Sequence, residues 1–261
     1  MIHGPVLKGL LIFISPLTFS LAYVLTAGLL SLPHQKAIIP GKFPTRIDHP
    51  VYGRRRLYGL CWTAVYYFTP IYFLFLTVPI LKKLLFRLFG YRGQMDFTIY
   101  PDTWIRDLPL LNFGQGAYIS NRATLGTNII FRKGFILVGP VTIGDGVLIG
   151  HLAMLAPGVV VEKEAEVGVG VAVGLISRIG ERAIVGPCAV IEHGAVIEAN
   201  SRFAGGWFGG GAVLGQGMVL TPGTVVPGQA VIKTRDDVAK YLSLSTRAPY
   251  VFETGPNLST L

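Results

Sequence analysis

Acidic side chains are scarce in this chain. Over 261 residues, 14 Asp and Glu stand against 23 Lys and Arg, leaving a net charge of +9. Such a balance implies anionic partners, and the placement of the cations decides which kind. Lys36, Lys42, Arg46, Arg54, Arg55 and Arg56 lie between two long apolar runs, and Lys82, Lys83, Arg87 and Arg92 follow the second. Cations beside apolar runs fit lipid headgroups, so nucleic acid is not the expected partner. Cysteine is nearly absent: Cys61 and Cys188 cannot frame a disulfide-stapled domain, which fits a reducing compartment, and each reads as a small core residue. Of five histidines, only His151 and His193 fall in the repetitive part of the chain, too few for a three-His metal centre, so no metal is expected. No glycine cluster sits between a strand and a helix, as a phosphate-binding loop requires.

Charge is missing altogether from Gly9 to Leu32 and again from Leu57 to Leu81. A helix over the first run is long enough to cross a bilayer core. With 51% hydrophobic residues and a mean hydropathy of +0.54, the chain is too apolar for an ordinary soluble domain. Residues 1–90 are therefore expected to form a membrane-associated helical region with a basic connector. No small-residue cleavage site follows the first run, so a removable signal peptide is not expected. Pro16, Pro70 and Pro79 interrupt both runs. If both runs spanned, one basic set would face the non-cytoplasmic side. Two resolutions stay open: re-entrant or interfacial helices that keep the basic sets and the repeats in the cytoplasm, or a hairpin that breaks the rule. Over residues 80–89, Ile80, Leu81, Leu84, Leu85 and Leu88 share one helical face and Lys82, Lys83 and Arg87 the other, the pattern of a surface-lying helix.

From Phe113 onward the organising period is six. Every sixth residue through Ile119, Leu125, Phe131, Leu137, Ile143, Ile149 and on to Phe203 is aliphatic or Phe, for about sixteen hexads. From Ile143 the next residue is Gly, Ala or Glu, and the fifth position is small or apolar. Six is neither the helical 3.6 nor simple strand alternation. It fits a solenoid of short strands whose first and fifth hexad positions point inward, with the second position at a turn where glycine makes positive φ cheap. The register slips by one residue across Gly205 to Gly211 and resumes at Leu214, Leu220, Val226 and Ile232. The expected organisation is a capping transition over 91–112, repeats over 113–232 and a polar tail over 233–261 with a short helix over 236–244.

This pattern resembles the hexapeptide-repeat family, which implies an all-β solenoid: a left-handed parallel β-helix with three hexads per coil. Leu125 to Asn128 and Trp104 to Leu110 are similar to a membrane-attached subgroup, the acyltransferase-like repeat regions of poly-amino-acid synthetases. The resemblance implies an acyltransferase (transferase) working at the membrane surface as a homotrimer, with active sites in inter-subunit clefts. The donor would be acyl coenzyme A or a carrier-protein thioester, and the acceptor a hydroxyl or amine. In such enzymes a turn histidine is the general base, which suits an imidazole titrating near working pH. His151 holds the third position of its hexad and is the catalytic candidate; His193 has the equivalent place in another hexad. Either could equally be a polar turn residue bonded to backbone. By the hexad count the two lie two coils and one hexad apart, on different corners, and can meet only across a subunit boundary. Lys133 falls one coil below His151 on that count, and Asn128, Arg122 and Trp207 are candidate lining residues. A non-catalytic trimeric scaffold remains the rival reading.

Overall fold

The computed structural model describes residues 3–242, so the expected C-terminal arm lies outside the described residues. The chain divides into two compact units. One holds the chain up to Ile38 together with Arg46–Tyr91; the other holds Ile39–Thr45 and the chain from Arg92 onward.

The first unit is helical: α1 (His3–Gln35), α2 (Pro50–Tyr67), α3 (Thr69–Thr77) and α4 (Pro79–Leu88). Pro16 lies inside α1 without ending it. Its stretch Ile14–Gln35 is long and apolar enough to cross a membrane. The second apolar run is not straight: α2 and α3 meet at 84° around Phe68, with Pro70 opening α3. Phe68 donates back to Val65 O, ending α2. The unit closes on aromatic packing, with Trp62 edge-on to Tyr72 and Phe89 and the Tyr58 hydroxyl donating to Phe89 O. α4 does not present its whole apolar face outward. Leu85 and Phe86 are buried, and Leu88 packs where a Cβ on Gly28 of α1 would stand, while Ile80 stays exposed.

The second unit is a parallel solenoid of three seven-stranded sheets. The first face runs from Phe97–Ile99 to Val219–Leu220, the second from Trp104–Ile105 to Thr224–Val226, and the third from Leu111–Phe113 to Val231–Ile232. The first-position residues from Ile143 to Phe203 and the fifth-position residues from Val147 to Ser201 are all buried. Burying each Val, Ile or Leu contributes about 1.5–3 kcal/mol, which makes this column the main source of the unit's stability.

Four expectations are corrected. First, the stretch 91–112 is not a cap; its strands at 97–99, 104–105 and 111–113 form the first rung of all three faces. Second, positive φ falls on the fourth hexad position, at Gly146, Leu152, Gly158, Glu164, Gly170 and Ile176, and not on the second. Second-position glycine serves close approach between coils: a Cβ on Gly144 would stand 2.7 Å from Lys163 N. Third, Phe131 and Leu137 are not core rungs. The segment Asn128–Phe131 and Phe135–Val138 leaves the solenoid as an antiparallel hairpin, joined by the strand Gly41–Pro44. It buries Ile136 and Val138, the opposite parity to the hexad count. Phe131 and Phe135 stack at 4.8 Å, with Lys42 Nζ 3.8 Å over the Phe135 ring. Fourth, Cys188 is exposed at a positive-φ turn and is not a core residue.

The C-terminal end is covered by α5 (Arg235–Leu242), which packs on the last strands of the second and third faces. Its start is a capping box: Asp237 N donates to Thr234 Oγ1 at 3.2 Å, and Thr234 N donates to Asp237 Oδ2 at 2.8 Å.

Candidate active site

The turns of the solenoid leave backbone N–H groups at the third hexad position, and side chains of adjacent coils satisfy them. Glu162 Oε2 accepts from Glu181 N at 3.1 Å, Glu192 Oε2 from Gly210 N at 2.7 Å and Glu198 Oε2 from Gln216 N at 2.9 Å. This explains why Glu alternates with Gly at the second position. Two third-position side chains do the same job from the following coil: Asp145 Oδ1 accepts from Gln115 N at 2.7 Å, and His193 Nδ1 from Leu175 N at 3.0 Å. Because the Leu175 backbone N–H can only donate, Nδ1 of His193 is the acceptor in this bond, and the neutral ring carries its proton on Nε2. A Cβ on Gly174 would stand 2.6 Å from that Nδ1, so only glycine there lets the ring lie against the coil.

His193 and Glu192 stand at one edge of a groove of about 480 Å³ on the second face. Its floor is Met154, Ala172 and Val190, with Gly174 and Gly210 at the turn. The outward column of this face is Trp104, Thr124, Met154, Ala172, Val190, Trp207 and Val225, without a charge. The first face carries Glu166 and Arg202 in its column, and the third carries Arg178. Ala172, between the larger Met154 and Val190, makes the depression. Trp207 sits one rung beyond Val190, half exposed. It reaches that place through a shortened turn, with Gly205 at φ 133° and Gly206 at φ 124°, where a Cβ on Gly206 would meet Thr224 O at 2.2 Å.

His151 is half-buried at the opposite edge of the same face, in the turn leading to Met154. Its backbone O accepts from Gly170 N at 2.8 Å, and its imidazole has no partner among the described residues. Lys133 is not beneath it. Ile149 pairs with Ile119 and not with Phe131, because the hairpin interrupts the count, so the residue one coil below His151 is Asn121. Leu152 N donates to Asn121 O at 3.1 Å. Lys133 lies exposed between the hairpin strands. Arg122 does share the His151 corner, one coil earlier. It makes only a 3.8 Å ion pair with Asp102, the two side chains 69% and 45% exposed, a contact contributing about 0–1 kcal/mol. Asn128 is engaged structurally: its Nδ2 lies 3.4 Å from Oδ2 of the fully buried Asp107, which also accepts from Thr127 Oγ1 at 2.7 Å. Among the described residues no group of three His, Cys, Asp or Glu gathers as a metal site.

The fold and groove define a parallel β-solenoid with a ligand-sized depression on its one charge-free face. Among solved structures, the acetyltransferase domain of PglB from Neisseria gonorrhoeae FA1090, in complex with acetyl coenzyme A, is similar at 19% identity and a TM-score of 0.24, over 57% of this chain and 61% of that one. LpxA from Bacteroides fragilis 9343, a UDP-N-acetylglucosamine acyltransferase, is similar at 18% identity and a TM-score of 0.22, over 63% of this chain and 60% of that one. The chain thus spans about three fifths of each. No family model matches the chain, and no curated protein does.

Proposed function

We propose that this chain is a membrane-attached, homotrimeric acyltransferase of the hexapeptide-repeat type, its solenoid left-handed and cytoplasmic. It moves an acyl group, acetyl or aminoacyl, from a coenzyme A or carrier-protein thioester to a hydroxyl or amine. The observation that carries this reading is the groove: an apolar floor that ends at Glu192 and His193 suits a thioester arm lying along Ala172 with its carbonyl at the polar edge.

His193 enters as a donor. With Nδ1 held by Leu175, its Nε2–H can bond the thioester oxygen, where negative charge grows as the carbonyl is attacked. His151 is the general base, since its imidazole is unengaged among the described residues. The acceptor loses its proton to His151, its oxygen or nitrogen bonds the carbonyl carbon, the C–S bond breaks, and the leaving thiolate takes that proton from His151. The two histidines flank one face from opposite edges, roughly 10 Å apart along the axis and a full face width across it. One chain cannot bring them to a single thioester, so a neighbouring copy supplies His151. Arg122, beside His151, would contact donor phosphates; Trp207 would border the donor; Lys133 and Asn128 would act from the hairpin.

A scaffold without chemistry is the second reading. It is favoured by the Leu175–His193 bond, which does for the turn what Asp145 does elsewhere. Thiol release from a panel of acyl thioesters separates the two.

A further inference from the structure

The helical unit contains its own cleft, of about 540 Å³, between α1 and α2. Phe19, Tyr23, Ala27 and Leu30 line it from α1, and Cys61 and Ala64 from α2. The two helices run antiparallel: the Tyr23 hydroxyl donates to Ala64 O at 3.0 Å, while Gly28 and Tyr58 both meet the end of α4, at Leu88 and Phe89. The last turn of α1 and the first turns of α2 therefore lie at one end. That end is basic. Lys36 follows α1, Arg54 and Arg56 lie near the start of α2, and the first turn of α2 has no acidic residue. Lys36, Arg54 and Arg56 are exposed and make no ion pair among the described residues, whereas Arg46 is neutralised by Asp48 at 2.6 Å. Arg54 precedes Cys61 by two helical turns on the same face, about 10 Å along the axis. An apolar cleft continued by unneutralised cations at that range matches an acyl chain joined to a phosphate.

We propose that α1 and α2 hold one anionic glycerophospholipid, its hydrocarbon chain in the cleft and its phosphate at Lys36, Arg54 and Arg56. This is narrower than general immersion, because the same unit exposes Leu29, Leu32 and Phe73 outside the cleft. Nor does it depend on what the solenoid catalyses.

The test uses the full chain in nanodiscs doped with phosphatidylglycerol carrying a diazirine in its acyl chain, or with the matching phosphatidylcholine. After irradiation, adducts should concentrate on Phe19, Cys61 and Ala64, be displaced by unlabelled phosphatidylglycerol, and be about fivefold fewer with the choline lipid. Arg54→Glu combined with Arg56→Glu should erase the headgroup preference, and Ala64→Trp should remove the cleft adducts. If Ala64→Trp does not fold, the competition and the charge pair decide alone. Adducts spread over Leu29, Leu32 and Phe73 in proportion to exposure, or equal labelling by both lipids, would overturn the proposal.

Discussion

The Leu175 amide donates to Nδ1 of His193 across one coil at 3.0 Å, and this one bond decides what that histidine can do. A neutral ring so held carries its proton on Nε2, so there it can donate a hydrogen bond but not collect a proton. His193→Gln should keep much of the turnover, since an amide N–H can replace the donor, whereas His193→Ala should lose about 10²-fold, as when an oxyanion donor is removed. Equal losses from both, with an acid limb removed from the pH profile, would make His193 the base instead.

A site shared between copies, as proposed, predicts complementation. Chains carrying His151→Ala and chains carrying His193→Ala, each nearly inactive, should recover activity when unfolded and reassembled together. In a random trimer about a quarter of the junctions regain both histidines. No recovery over the better parent would place the whole site within one chain.

Much of the solenoid was legible because burial repeats every sixth residue, a period that neither a helix nor a simple alternating strand has. Ile143 through Phe203 could be placed inward from the sequence, and the Gly205 to Gly211 slip emerged as a shortened turn. The hairpin was not legible. Its insertion is two hexads long, so Phe131 and Leu137 keep the count while leaving the core, and the count puts Lys133 beneath His151 where Asn121 stands. The role of second-position Glu was also hidden, because its partner is a backbone N–H on another coil. The groove could have been signalled by one feature: the second face is the one whose outward column carries no charge.

Ile176 sits at φ 52° and is 69% exposed. A β-branched residue in the left-handed region costs about 1–2 kcal/mol. Ile176→Asn should therefore raise the unfolding free energy by about 1 kcal/mol in thermal or denaturant melts. A loss of stability would show that the Ile176 side chain is covered in the assembled protein.

The α5 cap should depend on pH. The Lys233 backbone N–H and then the Thr234 hydroxyl hold the Asp237 carboxyl below its ordinary range. A depressed folded value means the stabilisation is fully present above the unfolded carboxylate range and is lost as pH falls through the folded value. The protection factor of the Val238 amide should fall over that acid window in the native chain and be low at all pH values in Asp237→Ala. A flat profile would remove Asp237 from the cap.

Thiol release from acyl coenzyme A and carrier-protein thioesters, measured for the native chain beside His151→Ala and Ala172→Trp, bears most directly on the central claim. The native chain should release thiol with at least one donor. His151→Ala should fall by about 10²–10⁴-fold with the trimer intact, and Ala172→Trp, which fills the groove floor, should raise KM for the donor. No release from any donor, or release unchanged in both variants, would contradict an acyltransferase working in this groove.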